Sequence, residues 1–151
     1  MPIFNNELMR ATILTHYENP YHKETPQNAD EFMQIHLTSS GCIDNLTLYL
    51  KVKDNKVITG YFDGFGCTIS IASTSILLEM IEGMNVDAVL KIIAEYKKML
   101  NSEPYDIDIL NEAIVFANTV RQPSRIRCAT IGWDGVAELI TKHKEEENHN
   151  D

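Results

Sequence analysis

Apolar residues recur along this chain with two different periods, and the change of period separates a strand-forming part from a helix-forming part. Met33, Ile35 and Leu37 alternate with Gln34, His36 and Thr38, and Leu46, Leu48, Leu50 and Val52 repeat the two-residue period of half-buried strands. Lys53-Asp54-Asn55-Lys56 reads as a tight turn, and Val57 to Phe62 as the returning strand. After Cys67 the period lengthens. Ile69, Ala72, Ile76 and Met80 predict a helix over 68–82, closed by Gly83. Asn85 caps the next helix, Asp87 in its first turn suits the helix dipole, and Val86, Val89, Leu90, Ile93 and Leu100 form its apolar face. Asn101-Ser102-Glu103-Pro104 breaks it. A further helix from about Ile107 to Asn118 carries Ile107, Leu110, Ile114 and Ala117 on one side. Ser124 caps a last helix from Arg125 to about Lys142, with Cys128, Ile131, Val136 and Leu139 or Ile140 facing inward.

Ahead of the strands, Met9, Ile13 and Tyr17 mark a helix over 7–17. Asn19-Pro20 ends it, because the residue before a proline avoids the helical region. Residues 20–30 are polar and carry prolines, so they read as a loop. Strands first and helices after predict an α+β domain: a three-stranded antiparallel sheet with helices packed on one face. No repeat or linker divides the chain. Residues 1–142 are expected to form a single domain, and the acidic tail 143–151 to be disordered.

Composition narrows the function classes. The formal net charge of −9 argues against nucleic acid as the main partner. No apolar run approaches the ~18 residues of a membrane span. Met1-Pro2-Ile3-Phe4-Asn5-Asn6-Glu7 has neither the basic nor the apolar region of a signal peptide, so the expected compartment is the cytoplasm. Three cysteines, an odd number in a chain whose hydrophobic fraction is 44%, do not make a disulfide scaffold.

Each cysteine sits at a joint between elements. Cys42 lies in the Ser39-Ser40-Gly41-Cys42-Ile43-Asp44 turn, Cys67 ends Gly64-Phe65-Gly66-Cys67 and opens a helix, and Cys128 falls in the first turn of the last helix. A helix N-terminus lowers a thiol pKa because unpaired N–H groups stabilise the thiolate, which is the ligand and the nucleophile. Arg125 and Arg127 add positive charge beside Cys128. Gly64 and Gly66 suit a backbone that turns tightly or lets another group come close. Phe62 and Phe65 are placed either to shield the site or to pack on the sheet. Taken alone, each cysteine reads as a small buried hydrophobe. Taken together with Asp44, three thiolates and a carboxylate make a tetrahedral donor set for a metal such as zinc. His16, His22 and His36 are weighed as nitrogen ligands and read instead as structural or surface residues. No Cys-x-x-Cys pair of the zinc-finger type occurs.

Phe65-Gly66-Cys67-Thr68-Ile69-Ser70-Ile71-Ala72-Ser73-Thr74-Ser75 resembles the second cysteine motif of the U-type iron–sulfur assembly proteins, the family of IscU, SufU and the NifU N-terminal domain. Ser124-Arg125-Ile126-Arg127-Cys128-Ala129-Thr130-Ile131-Gly132-Trp133 is similar to the third cysteine motif of the SufU branch. His16-Tyr17-Glu18-Asn19-Pro20 and Cys42-Ile43-Asp44 follow in matching order, so the likeness spans about residues 7–142. The separation of Cys67 from Cys128 leaves room for the extra helical segment of SufU-like members. Arg127 stands where IscU-like members have a histidine. Arg121-Gln122-Pro123-Ser124-Arg125 replaces their chaperone-docking Leu-Pro-Pro-Val-Lys. Ile43 departs from the family's glycine after the first cysteine, a position where a β-branched residue resists positive φ.

The resemblance implies a SufE/IscU-like fold and a zinc-binding sulfur acceptor that takes persulfide sulfur from a SufS-like cysteine desulfurase, a sulfurtransferase role. The alternative it leaves open is a scaffold for a transient [2Fe–2S] cluster passed to downstream assembly proteins. On the first reading it implies Cys42, Asp44, Cys67 and Cys128 as metal ligands, Cys42 as sulfur acceptor with Cys128 as second choice, and Arg125 as electrostatic or docking support; on the second, the same residues hold the cluster, with the three cysteines as cofactor ligands.

Overall fold

A computed structural model describes residues 5–38 and 43–149. Strands β1 (Met33–Thr38), β2 (Asn45–Lys53) and β3 (Lys56–Phe65) form one antiparallel sheet in the order β1-β2-β3. The β2–β3 turn places Asp54 and Asn55 at φ 54° and 61°, the left-handed pair that matches the twist of a two-residue hairpin. A register shift at Lys51/Val52, near the end of β2, precedes that turn. Leu46, Leu48, Leu50 and Phe62 point from one face into the core, as the alternation predicts.

Strand β3 runs on past the expected end at Phe62, so that Phe65 pairs with Asn45 and Gly64 with Leu46. Gly64 permits this: its φ is +124°, and a Cβ there would lie 2.2 Å from the Asn45 carbonyl oxygen. The extension carries the chain directly to the first turn of the next helix.

The helices are α1 (Asn6–Glu18), α2 (Thr68–Ile81), α3 (Val86–Leu100), α4 (Ile107–Leu110) and α5 (Pro123–His149). Asn5 caps α1, its side chain accepting from the Leu8 N–H at 2.7 Å. Asn85 caps α3 through the Asp87 N–H at 2.8 Å. Helix α2 is central, packed against α1, α5, β3 and the segment before α5. It is therefore buried nearly all round from Ser70 to Leu78, rather than along the single stripe its periodicity suggests. Ile69 and Met80, two members of that stripe, are only half-buried.

The helix expected over 107–118 is a single α-turn followed by a 3-10 stretch, Asn111–Arg121. Asn111 ends the α-helix at φ 47° and ψ −124°, outside the helical region. Over so short a span the apolar spacing fits both coils, and Ala113, Val115 and Phe116 are buried in the tighter one. Helix α5 extends beyond the expected end near Lys142, where Lys144 pairs with Asp87 of α3 and His143 lies 3.1 Å from Glu147 one turn on.

Loop residues cover what the helices leave. His22 and Lys23 lie along the open edge of β3, the His22 carbonyl accepting from the Phe62 N–H at 3.1 Å. Tyr21, His22 and Tyr61 stack at 3.8 and 4.3 Å, and Phe32 meets Tyr61 edge-on at 5.7 Å on the face away from the helices. No helix among the described residues is long and apolar enough to cross a membrane.

Candidate metal centre

Three elements end at one place. Asp44 stands just before β2 and is buried. Cys67 is the N-cap of α2, its sulfur accepting from the Ser70 N–H at 3.4 Å. Cys128, one and a half turns into α5, is fully buried. The α2–α5 crossing that brings the two cysteines together is close: a Cβ on Gly132 would lie 2.4 Å from the Thr74 Oγ1. Gly66 makes a second close approach, since a Cβ there would lie 2.4 Å from the Ser70 Oγ.

Ser70 fastens the site. Its hydroxyl donates to the Asp44 Oδ1 at 2.7 Å, and the Cys67 N–H donates to the same oxygen at 3.1 Å. The unpaired donors of the α2 N-terminus thus hold the carboxylate and the thiol together. Burial opposes ionisation of the Cys67 thiol. Hydrogen bonds from Ser70 and from the Cys128 thiol outweigh both that and the Asp44 charge, and hold it below the ordinary thiol range.

One donor atom each from Asp44, Cys67 and Cys128 lie within 4.8 Å of one another. Ligands about 2.0–2.3 Å from a tetrahedral zinc sit roughly 3.5–3.8 Å apart, so small side-chain adjustments close this set on an ion. Two thiolates and a carboxylate in so buried a place would repel one another strongly without a cation. Sulfur and carboxylate together suit zinc better than magnesium or calcium. The donor set fits such a metal.

The structure assembles three of the four expected ligands. Cys42 lies outside the described residues. Ile43 is largely exposed. Phe62 belongs to the core, whereas Phe65 is 77% exposed and does not cover the site. Arg125 and Arg127 are exposed in the first turns of α5, on the approach to Cys128.

The histidines are engaged elsewhere. His16 is buried between the Ser75 Oγ at 2.8 Å and the Glu112 Oε1 at 2.9 Å. His22 Nδ1 meets the Gly60 carbonyl at 2.9 Å, and His36 Nε2 meets the Asn45 Oδ1 at 2.5 Å. Ser70 is the site residue that sequence reasoning missed. No local pattern marks it, because its hydroxyl reaches Asp44, 26 residues away, rather than the backbone N–H of the N-cap.

The family model of the NifU-like N-terminal domain matches residues 8–150. The chain belongs to that family. Among the relatives of this NifU-like domain, the iron–sulfur cluster assembly scaffold protein IscU of Thermotoga maritima is 37% identical over 101 residues, 67% of this chain and 71% of that one. The zinc-dependent sulfurtransferase SufU of Bacillus subtilis is 28% identical over 138 residues, covering 91% of this chain and 92% of its own. The solved structure of SufU from Fervidobacterium islandicum superposes with a TM-score of 0.79 at 24% identity, over 85% of this chain and 93% of that one. The N-terminal NifU-like protein of Brucella abortus gives 0.77 at 21%, over 89% and 92%. At these identities the structural likeness establishes the fold: a three-stranded antiparallel sheet with helices on it.

Proposed function

We propose that this NifU-like domain serves iron–sulfur cluster assembly as a sulfur acceptor, taking persulfide sulfur from a cysteine desulfurase at a zinc centre of Cys42, Asp44, Cys67 and Cys128. The observation that carries the reading is the convergence of the Asp44, Cys67 and Cys128 donor atoms within 4.8 Å. Similarity to the zinc-dependent sulfurtransferase SufU over 91% of the chain supports it.

When bound, zinc would keep its cysteine ligands as thiolates at neutral pH. The remaining roles belong to side chains. Ser70 holds Asp44 and orients Cys67. Arg125 offsets the net negative charge of three thiolates and a carboxylate around a divalent ion. Cys128 is buried, and Cys42, two residues before Asp44 in the sequence, is the acceptor that the likeness to the SufU branch favours. Its thiolate attacks the outer sulfur of the desulfurase persulfide. The S–S bond breaks, the desulfurase cysteine leaves as thiolate, and Cys42 carries the new persulfide, with no net change of oxidation state. Cys42→Ser should abolish stimulation of desulfurase turnover in a folded protein. Full stimulation by that variant would discard Cys42 as acceptor.

The likeness to IscU of Thermotoga maritima favours a second reading, in which the same residues hold a transient [2Fe–2S] cluster as cargo. Anaerobic reconstitution separates the two. A coloured species that passes its cluster to an apo-protein supports the scaffold, and a colourless protein with one tight zinc supports the sulfur acceptor.

A further inference from the structure

Outside the donor set, buried polar groups converge on one backbone atom. The carbonyl oxygen of Ala129, the residue after Cys128, accepts from the Ser73 hydroxyl at 2.6 Å and from the Tyr96 hydroxyl at 2.8 Å. The Trp133 Nε1–H donates to the Ser73 Oγ at 2.8 Å, which leaves the Ser73 proton for the carbonyl. The Tyr96 and Trp133 rings stack at 3.6 Å with 4° between their planes. All four residues are buried. Burial pushes the Tyr96 phenol far above its ordinary range, so it stays a donor at any working pH.

The cluster joins three helices: Ser73 from α2, Tyr96 from α3, Ala129 and Trp133 from α5. Stability alone does not call for it, since apolar groups of the same shape fill a core as well. Directional bonds do something that apolar contact does not: they fix the rotation and the height of one helix against its neighbours. Successive residues of a helix are 100° and about 1.5 Å apart, so any turn or slide of α5 at Ala129 passes undiminished to the Cys128 sulfur.

We propose that Ser73 and Tyr96 are positioning residues for the metal centre, which act through the Ala129 carbonyl to place the Cys128 sulfur against Cys67 and Asp44. The proposal rests on the metal-site reading above. Support partners of metal ligands typically contribute ten- to a hundred-fold to affinity.

Tyr96→Phe keeps the ring stack and loses only the hydroxyl, and Ser73→Ala removes the hub of the cluster. Each should fold, weaken zinc about ten-fold or more in chelator competition, and shift the thiolate-to-cobalt charge-transfer and d–d bands of the cobalt-substituted protein. Val89→Ala, a core truncation elsewhere on α3, serves as control: it should lower the thermal midpoint and leave the cobalt spectrum unchanged. Wild-type spectrum and zinc affinity in both variants would overturn the positioning role, as would equal changes in the Val89→Ala control. Wild-type protein that takes up no cobalt would overturn the metal-site reading itself, and the positioning role of Ser73 and Tyr96 with it.

Discussion

Gly132→Ala tests the crossing on which the centre depends. A Cβ on residue 132 would lie 2.4 Å from the Thr74 Oγ1, 3.0 Å from its Cγ2 and 3.1 Å from its Cβ. The threonine cannot step aside. It is β-branched, buried in a helix, and its hydroxyl donates to the Ser70 carbonyl at 2.8 Å. Helix α5 must therefore move off α2 by about 1 Å to reach ordinary contact distance. Overpacking of this kind lies at the upper end of the usual range, ~3 kcal/mol. Alanine's better helix propensity returns ~1 kcal/mol, leaving a net loss of about 2 kcal/mol. The same displacement parts Cys128 from Cys67, whereas ligand distances tolerate only ~0.2 Å. Urea unfolding of the metal-free protein reads the first effect, and zinc content after dialysis reads the second. Thr74→Ala in the same chain removes the two nearest of the three clashing atoms and should restore more than half of both. Gly135→Ala is the contrast, because its Cβ meets only the side-chain ends of Leu37 and Leu48 at 2.6 Å, which can repack. Unchanged stability and full zinc content in Gly132→Ala would refute the argument, as would an equal loss in Gly135→Ala.

Stripping the metal should destabilise the protein by ~4 kcal/mol relative to a sample with free zinc at a thousand times its dissociation constant, read as a drop in thermal midpoint; an unmoved midpoint would mean that zinc does not bind the native state. Asp63 should confer acid sensitivity. Burial pushes its carboxyl up, but the Gly64 N–H, the Thr25 hydroxyl and Lys23 outweigh that and hold it below its ordinary value. Its contribution is therefore complete above the unfolded pKa near ~4 and disappears as pH falls through the lower folded value. Because the side chain is 43% exposed, screening keeps the effect below ~1 kcal/mol. The gap in urea midpoint between wild type and Asp63→Asn should shrink as pH falls below about 4, and a gap that stays constant would count against it.

Much of the fold was legible because each period has one geometric meaning. Alternation at Leu46, Leu48 and Leu50 could only put those residues on one face of a strand, and Lys53-Asp54-Asn55-Lys56 left one place for the turn. The joint at Cys67 was legible too, since that residue had to fall where strand gave way to helix. Features set by neighbours were not. The burial of Ser70, Ser73, Thr74 and Ser75 depends on α2 being surrounded, which its own spacing does not encode. Trp133 and Tyr96 stack across two helices, and no local pattern links residues so far apart. The 3-10 stretch after Asn111 and the extension of β3 to Phe65 follow from backbone choices at single residues.

Asp44, Cys67 and Cys128 come from the residue before β2, the cap of α2 and the second turn of α5. During synthesis, a nascent polypeptide that has left the ribosome only as far as α3 presents Asp44 and Cys67 but lacks the buried sulfur that α5 supplies. On the proposed zinc reading, the full ligand set exists only once α5 has been made. The order in which the gene is read would then favour filling of the whole domain over a half-made one.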